Sequence, residues 1–202
     1  SFSYTLPAGD AGAGAIQVTV TSDTYNHVFE LNGGGDAETN NAASTSFTST
    51  IADAADLVVS GLTVTPSPAQ SGNTLTVDWG VENTGSLAAG SSFYSRITIR
   101  NLDTGATLRT ANVLYDPTLA GNGAITAGQT RAQQFTHQLP DGTAGAGNIE
   151  VTVTTDIFNN VFEYNAGGTG ESNNSSAVNV TSTVASYPDL QVTDISMPAT
   201  AM

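Results

Sequence analysis

Apolar and polar residues alternate along much of the chain with the two-residue period of a half-buried β-strand, and no long run shows helical periodicity. The clearest case is Leu75, Val77, Trp79 and Val81, separated by Thr76, Asp78, Gly80 and Glu82. Phe93, Ser95, Ile97 and Ile99 face one way, while Arg96, Thr98 and Arg100 face the other. Further strands are expected at 56–64, 107–115, 130–139 and 149–155, with a short extended piece at 161–163. A last strand runs through Val178, Val180 and Val184. Breakers stand between them: Pro66, Pro68 and Ser71-Gly72, then Asn83-Thr84-Gly85, then residues 101–105. A Gly-rich loop follows, with Asp116-Pro117 and Gly121-Asn122-Gly123. About seven short strands with turn signals between them predict an all-β, immunoglobulin-like β-sandwich. Its core should draw on Leu75, Val77 or Trp79, Ile97, Phe135, Val151, Val153 and Val180.

The alternation is itself repeated. Shifted by 133 residues, the start of the chain matches its end without a gap, and 31 of 68 positions (2–69 against 135–202) are identical. Phe2 falls on Phe135 and Leu6-Pro7 on Leu139-Pro140. Residues 11–14 fall on 144–147, 18–21 on 151–154, and Asp56-Leu57 on Asp189-Leu190. This offset divides the chain into a complete unit at 55–187, the closing part of a preceding unit at 1–54, and the first strand of a following one at 188–202. The ends are therefore expected to need cover, from neighbouring repeats of the same protein or from identical chains head to tail.

Composition narrows the function. The formal net charge is −14, with no lysine and only Arg96, Arg100, Arg109 and Arg131 as permanent side-chain cations. Nucleic-acid binding needs a basic footprint, so that class is excluded, and anionic membrane surfaces go with it. No apolar run approaches the ~20 residues that would span a bilayer. Cysteine is absent, so disulfides cannot staple the fold, and without lysine no Lys–Asn isopeptide crosslink can form. Neither histidine recurs at the offset, His27 aligning with Asn160 and His137 with Tyr4. No nucleophile with its base can be assembled, and the expectation is that the protein is not an enzyme.

One constellation does recur. Asp23, Asn26, Glu30, Glu38, Asn40 and Asn41 return as Asp156, Asn159, Glu163, Glu171, Asn173 and Asn174. Both copies read D-x-x-N-x-V-F-E-x-N and then, after a Gly-rich spacer, E-x-N-N. Carboxylates and amide carbonyls converging from two loop arms suit Ca²⁺, which takes six to eight oxygens. The spacing is not that of an EF-hand. The competing reading is structural, with Asp and Asn capping turns and Glu163 bonding backbone amides. The paired aromatics in the motif, Tyr25 with Phe29 and Phe158 with Phe162, are expected to close the end of the core.

The stretches Ala55-Asp56-Leu57-Val58-Val59, Gly72, Leu75-Thr76-Val77 and Val81-Glu82-Asn83-Thr84-Gly85 resemble the opening of a CARDB domain, the cell adhesion related domain found in bacteria. Val151–Asp156, Val161-Phe162-Glu163, Glu171 and Asn173-Asn174 resemble its end, in the right order. This unit is longer than a typical member, with the extra length around 103–129. The resemblance implies an Ig-like sandwich repeated within large secreted or surface proteins, and no catalytic activity. The expected function is a structural or adhesive extender module: a stalk, matrix or filament at the cell surface or outside it. A carbohydrate- or ligand-binding module, or an accessory domain of a secreted hydrolase, is the alternative.

Overall fold

The computed structural model describes residues 1–197, which fall into two compact units, Ser1–Asp53 and Ala54 onward. The first unit is small. A single 3₁₀ turn, Gly9–Gly12, leads into β1 (Gly14–Thr21), which pairs antiparallel with β2 (Ala42–Ser49), Gly14 opposite Ser49 and Thr21 opposite Ala42. Residues 22–41 loop between the two strands.

The second unit is the sandwich. Its strands are β3 (Leu57–Thr65), β4 (Ala69–Gln70), β5 (Thr74–Asn83), β6 (Phe93–Asn101), β7 (Thr107–Tyr115), β8 (Thr130–Gln138), β9 (Gly147–Thr154) and β10 (Ser175–Thr183). One sheet has the order β3-β5-β8 and the other β4-β10-β9-β6-β7. All pairings are antiparallel except β10 with β4. The chain therefore leaves one sheet after β3 and joins the other at β4. Pro66 and Pro68 lie in that crossing, where a residue without an N–H cannot extend the first ladder. The two-residue β4 is the one strand that the pattern of apolar residues does not announce.

The inward positions follow the alternation. Leu75, Val77, Trp79 and Val81 of β5 are all buried, as are Phe93, Ile97 and Ile99 of β6 and Ile149, Val151 and Val153 of β9. They meet Leu57 and Val180 in one continuous core. The same face of β5 thus carries both Val77 and Trp79. Trp79 Nε1 donates to Gln133 Oε1 at 3.1 Å, and Ser95 Oγ donates to the same oxygen at 2.8 Å. A polar bond from each sheet thereby meets one side chain of β8 at the margin of the core.

The expectations at the ends of the strands differ from the structure at particular residues. Phe135 of the edge strand β8 packs against the core as expected, though it is half-buried. Val184 lies just past the end of β10 and is exposed. The stretch around 103–129 forms the β6–β7 turn, β7 and a long loop, and that loop inserts Ile125 into the core through a bridge to Ala89. Residues 188–197 form no strand, and Leu190, Val192 and Ile195 are exposed. The remainder of the segment read as a following first strand, 198–202, lies outside the described residues.

Candidate functional site

The recurring acidic motif becomes a loop at one end of the sandwich, running from the last residue of β9 to the start of β10. It begins with Asp156, buried and in the left-handed region at φ 43°, a conformation that Asp and Asn tolerate better than most residues. Asp156 Oδ1 accepts the Asn160 N–H at 2.9 Å and Oδ2 accepts the Val161 N–H at 2.8 Å. Asn159 makes the second left-handed residue (φ 50°), and its N–H reaches back to Asp156 O at 2.9 Å. One carboxylate therefore closes the first turn of the loop and steers Val161 into the core.

Glu163 performs the next step. Its residue bridges in parallel to Ala55, and the following N–H, of Tyr164, donates to Ala55 O at 2.9 Å. Its side chain is buried. Oε1 accepts the Leu57 N–H at 3.1 Å and Oε2 accepts Asn174 Nδ2 at 2.7 Å. Glu171 reaches across to take the Glu163 N–H on Oε1 at 2.8 Å. Glu163 so ties the closing loop to the very start of β3. Burial pushes its carboxyl up to about 8, opposed by the Asn174 and Leu57 hydrogen bonds and assisted by the charges of Asp156 and Glu171. A neutral carboxyl has a proton to donate, and Asn174 Oδ1 is buried without a partner. Were the Asn174 amide turned end for end, that proton would meet that oxygen.

A second carboxylate lies beside this one. Asp56 accepts Asn173 Nδ2 on Oδ1 at 2.9 Å and, on Oδ2, Thr84 Oγ1 at 2.8 Å and Asn165 Nδ2 at 3.2 Å. Asn83, fully buried, accepts the Asp56 N–H at 3.1 Å and donates to Leu87 O and Ile125 O, each at 2.8 Å. Gly85 is required next to it, because a Cβ there would stand 2.4 Å from Ala54 O. All these groups gather the start of β3, the β5–β6 turn and the acidic loop at one end.

The first unit reproduces the loop. Asp23 and Asn26 are left-handed at φ 41° and 52°, and Asp23 takes the N–H groups of His27 and Val28 at 2.8 and 2.9 Å. Glu38 takes the Glu30 N–H at 2.7 Å. There the likeness stops: Glu30 Oε2 is buried without a hydrogen-bond partner, where the same atom of Glu163 takes the Asn174 amide.

Residues 54–178 match the CARDB family, more than half of the chain. The chain belongs to the CARDB family. A crystal structure of the CARDB domain of a Pyrococcus furiosus protein, in complex with di-metal ions, is similar over 67% of this chain and all of that one, at 18% identity and a TM-score of 0.47. The solution structure of the same domain covers 66% of this chain and all of that one, at 16% identity and a TM-score of 0.45. A Thermotoga neapolitana β-glucosidase 3B with glucose matches over 69% of this chain but 17% of its own, at 16% identity and a TM-score of 0.35. These likenesses add nothing to what the family match establishes. No curated protein matches the chain.

Within the CARDB unit the motif residues divide by role. Asp156, Glu163, Glu171 and Asn173 act as hydrogen-bonding groups of the loop, and the Asn159 residue is its exposed left-handed turn. Among the described residues no three acidic or imidazole side chains form a cluster able to hold a metal. The charge of Glu171 is near enough to act on the Glu163 carboxyl, and the amide oxygens of Asn173 and Asn174 are buried without a hydrogen-bond partner. The paired aromatics are a correction. Phe158 and Phe162 are 54% and 55% exposed, and Tyr25 and Phe29 more so. The turn that Asp156 closes sends Val161 inward and its neighbours outward. Phe158 meets Tyr94 edge-on with ring centroids 5.8 Å apart, and the Arg96 guanidinium lies 5.8 Å from its ring centre. Asn83, Asp56 and Asn165 were missed as members of this end. Asp56 and Asn83 stand in the family-like stretches, and a polar residue just before β3 and another at the end of the inward run of β5 are the available signal. His137 is half-buried on β8, with Nε2 unpartnered, and burial holds it below the ordinary imidazole range, assisted by the Arg109 charge.

Proposed function

We propose that this chain is a structural, adhesive extender module of a large secreted or cell-surface protein, and that it catalyses no reaction. One observation carries the reading. Residues 2–53 and 135–186 share not only sequence but register and turn geometry: Ile16 pairs with Phe47 as Ile149 pairs with Val180, and the same carboxylates close the same loop. The closing part of a sandwich recurring at a constant offset supports an array of such units, and an array of this kind builds length. The acidic surface, with its net charge of −14, keeps such an array hydrated and unassociated. No helix among the described residues is long and apolar enough to cross a membrane. The test is to join one, two and three copies of the 133-residue unit and measure solution X-ray scattering. The maximum dimension should grow linearly, by roughly 35–45 Å per copy, the length of a ten-residue strand at about 3.3 Å per residue plus its loops. Copies that fold back on one another, with no growth in length, would remove the extender role.

A ligand-binding reading is favoured by the exposed Phe158 with Tyr94 and Arg96 beside it. Sugars stack on such rings, so glycan-array binding that disappears on Phe158→Ala would establish it. Calcium is proposed for the loop end, on the carboxylates of Glu163 and Glu171 and the unpartnered amide oxygens of Asn173 and Asn174, all of them the hard oxygens this ion takes. In the first unit its counterparts are Glu30, Glu38, Asn40 and Asn41.

A further inference from the structure

The first unit presents core residues to water. Val18 is 44% exposed, Val20 68% and Phe47 49%, while their counterparts Val151, Val153 and Val180 are at 0%, 0% and 2%. Phe2, Tyr4, Leu6, Ile16, Val18 and Phe47 line one groove on that face. A contiguous apolar patch of this kind marks an interaction surface. Its geometry says what fits, because the same hairpin is seen occupied within this molecule. β9, the counterpart of β1, is paired on both edges, with β10 on one and β6 on the other, Ile97 opposite Val153 and Ile99 opposite Val151. Its inner face packs into the core that β3 and β5 complete. β1 pairs with β2 alone. Glu30 is the counterpart of Glu163, whose Oε1 receives the backbone of β3 and whose Oε2 takes the Asn174 amide, and Glu30 Oε2 is buried without a partner.

We infer that this face is the seat of a second CARDB opening half, a segment with the chemistry of residues 54–133. That segment supplies a β6-like strand paired antiparallel along Ile16–Thr21, an apolar sheet over Ile16, Val18, Val20 and Phe47, and a β3-like N–H for Glu30. Residues 1–5 then continue its β8, in the place of 134–138. The inference rests on the extender reading, since it treats the first unit as the closing half of a repeat. A second copy of the chain is a poorer occupant. Its own opening half already holds β9 and β10, so exchanging one hairpin for another frees an equal hairpin and gains nothing. Its exposed 188–197 matches only 55–64 and brings one strand of the several required.

The experiment extends the full chain. A copy of residues 54–133 is joined directly before Ser1, and amide hydrogen exchange is followed at 15–21 and 42–49. In the chain as it stands these amides should exchange much faster than their counterparts at 148–154 and 175–182, and an apolar dye should bind. In the extended chain they should slow by at least a hundredfold and dye binding should fall to background. Phe47→Asp supplies the second measurement: it should leave thermal unfolding of the original chain unchanged and abolish the added protection in the extended one. Protection already present in the original chain overturns the inference. So does an extended chain whose 15–21 amides stay fast, or in which Phe47→Asp has no effect. Growth in length of the joined units, measured by scattering, reports separately on the extender reading.

Discussion

Replacing Glu163 by Gln asks what one buried carboxyl does to this fold. The carboxyl is held neutral up to about pH 8 in the folded chain, while its ordinary value is 4.5. Unfolding between those two values therefore releases a proton. By linkage, the contribution of this group is fully present below pH 4.5 and is lost as the pH rises toward 8. The full shift would correspond to ~5 kcal/mol at about 1.4 kcal/mol per unit. Glu171 beside it is exposed, and water relaxing around that end of the sandwich reduces the effect to about 2 kcal/mol. Gln keeps the shape and cannot ionise. Its Oε1 can accept the Leu57 N–H, and its Nε2 can donate to Asn174 Oδ1 once that amide is exchanged end for end. The variant should equal the parent within about 0.5 kcal/mol near pH 5 and exceed it by about 2 kcal/mol at pH 9. Urea unfolding at pH 5, 7 and 9, read by the single, buried Trp79, measures both chains, and their difference cancels every other titration. A difference that does not change with pH, or a variant that loses ground at pH 9, would refute the reasoning.

The remaining expectations are briefer. Trp79→Ala should cost roughly 3–5 kcal/mol, the range for a buried large aromatic, and a loss below about 1 kcal/mol by circular dichroism melts would place that side chain outside the core. Asp156→Ala removes the acceptor of two N–H groups and leaves alanine in a left-handed conformation, so the sandwich should lose about 2–4 kcal/mol. Asp23→Ala removes the same turn from the first unit and should leave sandwich unfolding unchanged; equal losses from both would show that the two loops share one cooperative unit. Calcium and the Glu163 proton would compete for the same oxygens, so titration calorimetry and melting with millimolar Ca²⁺ against EDTA should show stronger binding at pH 9 than at pH 6. No heat and no shift in midpoint at either pH would leave turn capping as the loop's role.

The sheets were readable because β5, β6 and β9 are covered on one face only. Where one face is buried, period-two alternation is forced, and the run from Leu75 to Val81 or from Ile149 to Val153 shows it directly. For Phe135 alternation reported the side to which the residue points, against the core, and not that its burial there is partial. β4 escaped notice because two residues carry no period. What makes it a strand is the parallel pairing of Ala69 and Gln70 with the end of β10, a contact between positions more than a hundred residues apart.

The acidic loop was located by its recurrence but not explained by it. Repetition at 133 residues singles out Asp156, Glu163, Glu171 and Asn173 together, yet the same oxygens can accept backbone N–H groups or hold an ion, and spacing along the chain does not choose between them. The choice depends on what the loop closes against. Glu163 accepts the N–H of Leu57, 106 positions earlier, and Asp56 accepts the amide of Asn173, 117 positions later. Those bonds explain why polar residues at the start of β3 accompany a polar loop at the far end of the same unit: each satisfies the other's buried groups. The first unit keeps the loop, but there Glu30 Oε2, whose counterpart in Glu163 takes the Asn174 amide, is buried without a partner. The Asp23 turn is local, built within six residues, and forms wherever the motif is present. The bond from Leu57 to Glu163 Oε1 needs a β3, and a strand that sits on another part of the chain is the one thing a local motif cannot supply.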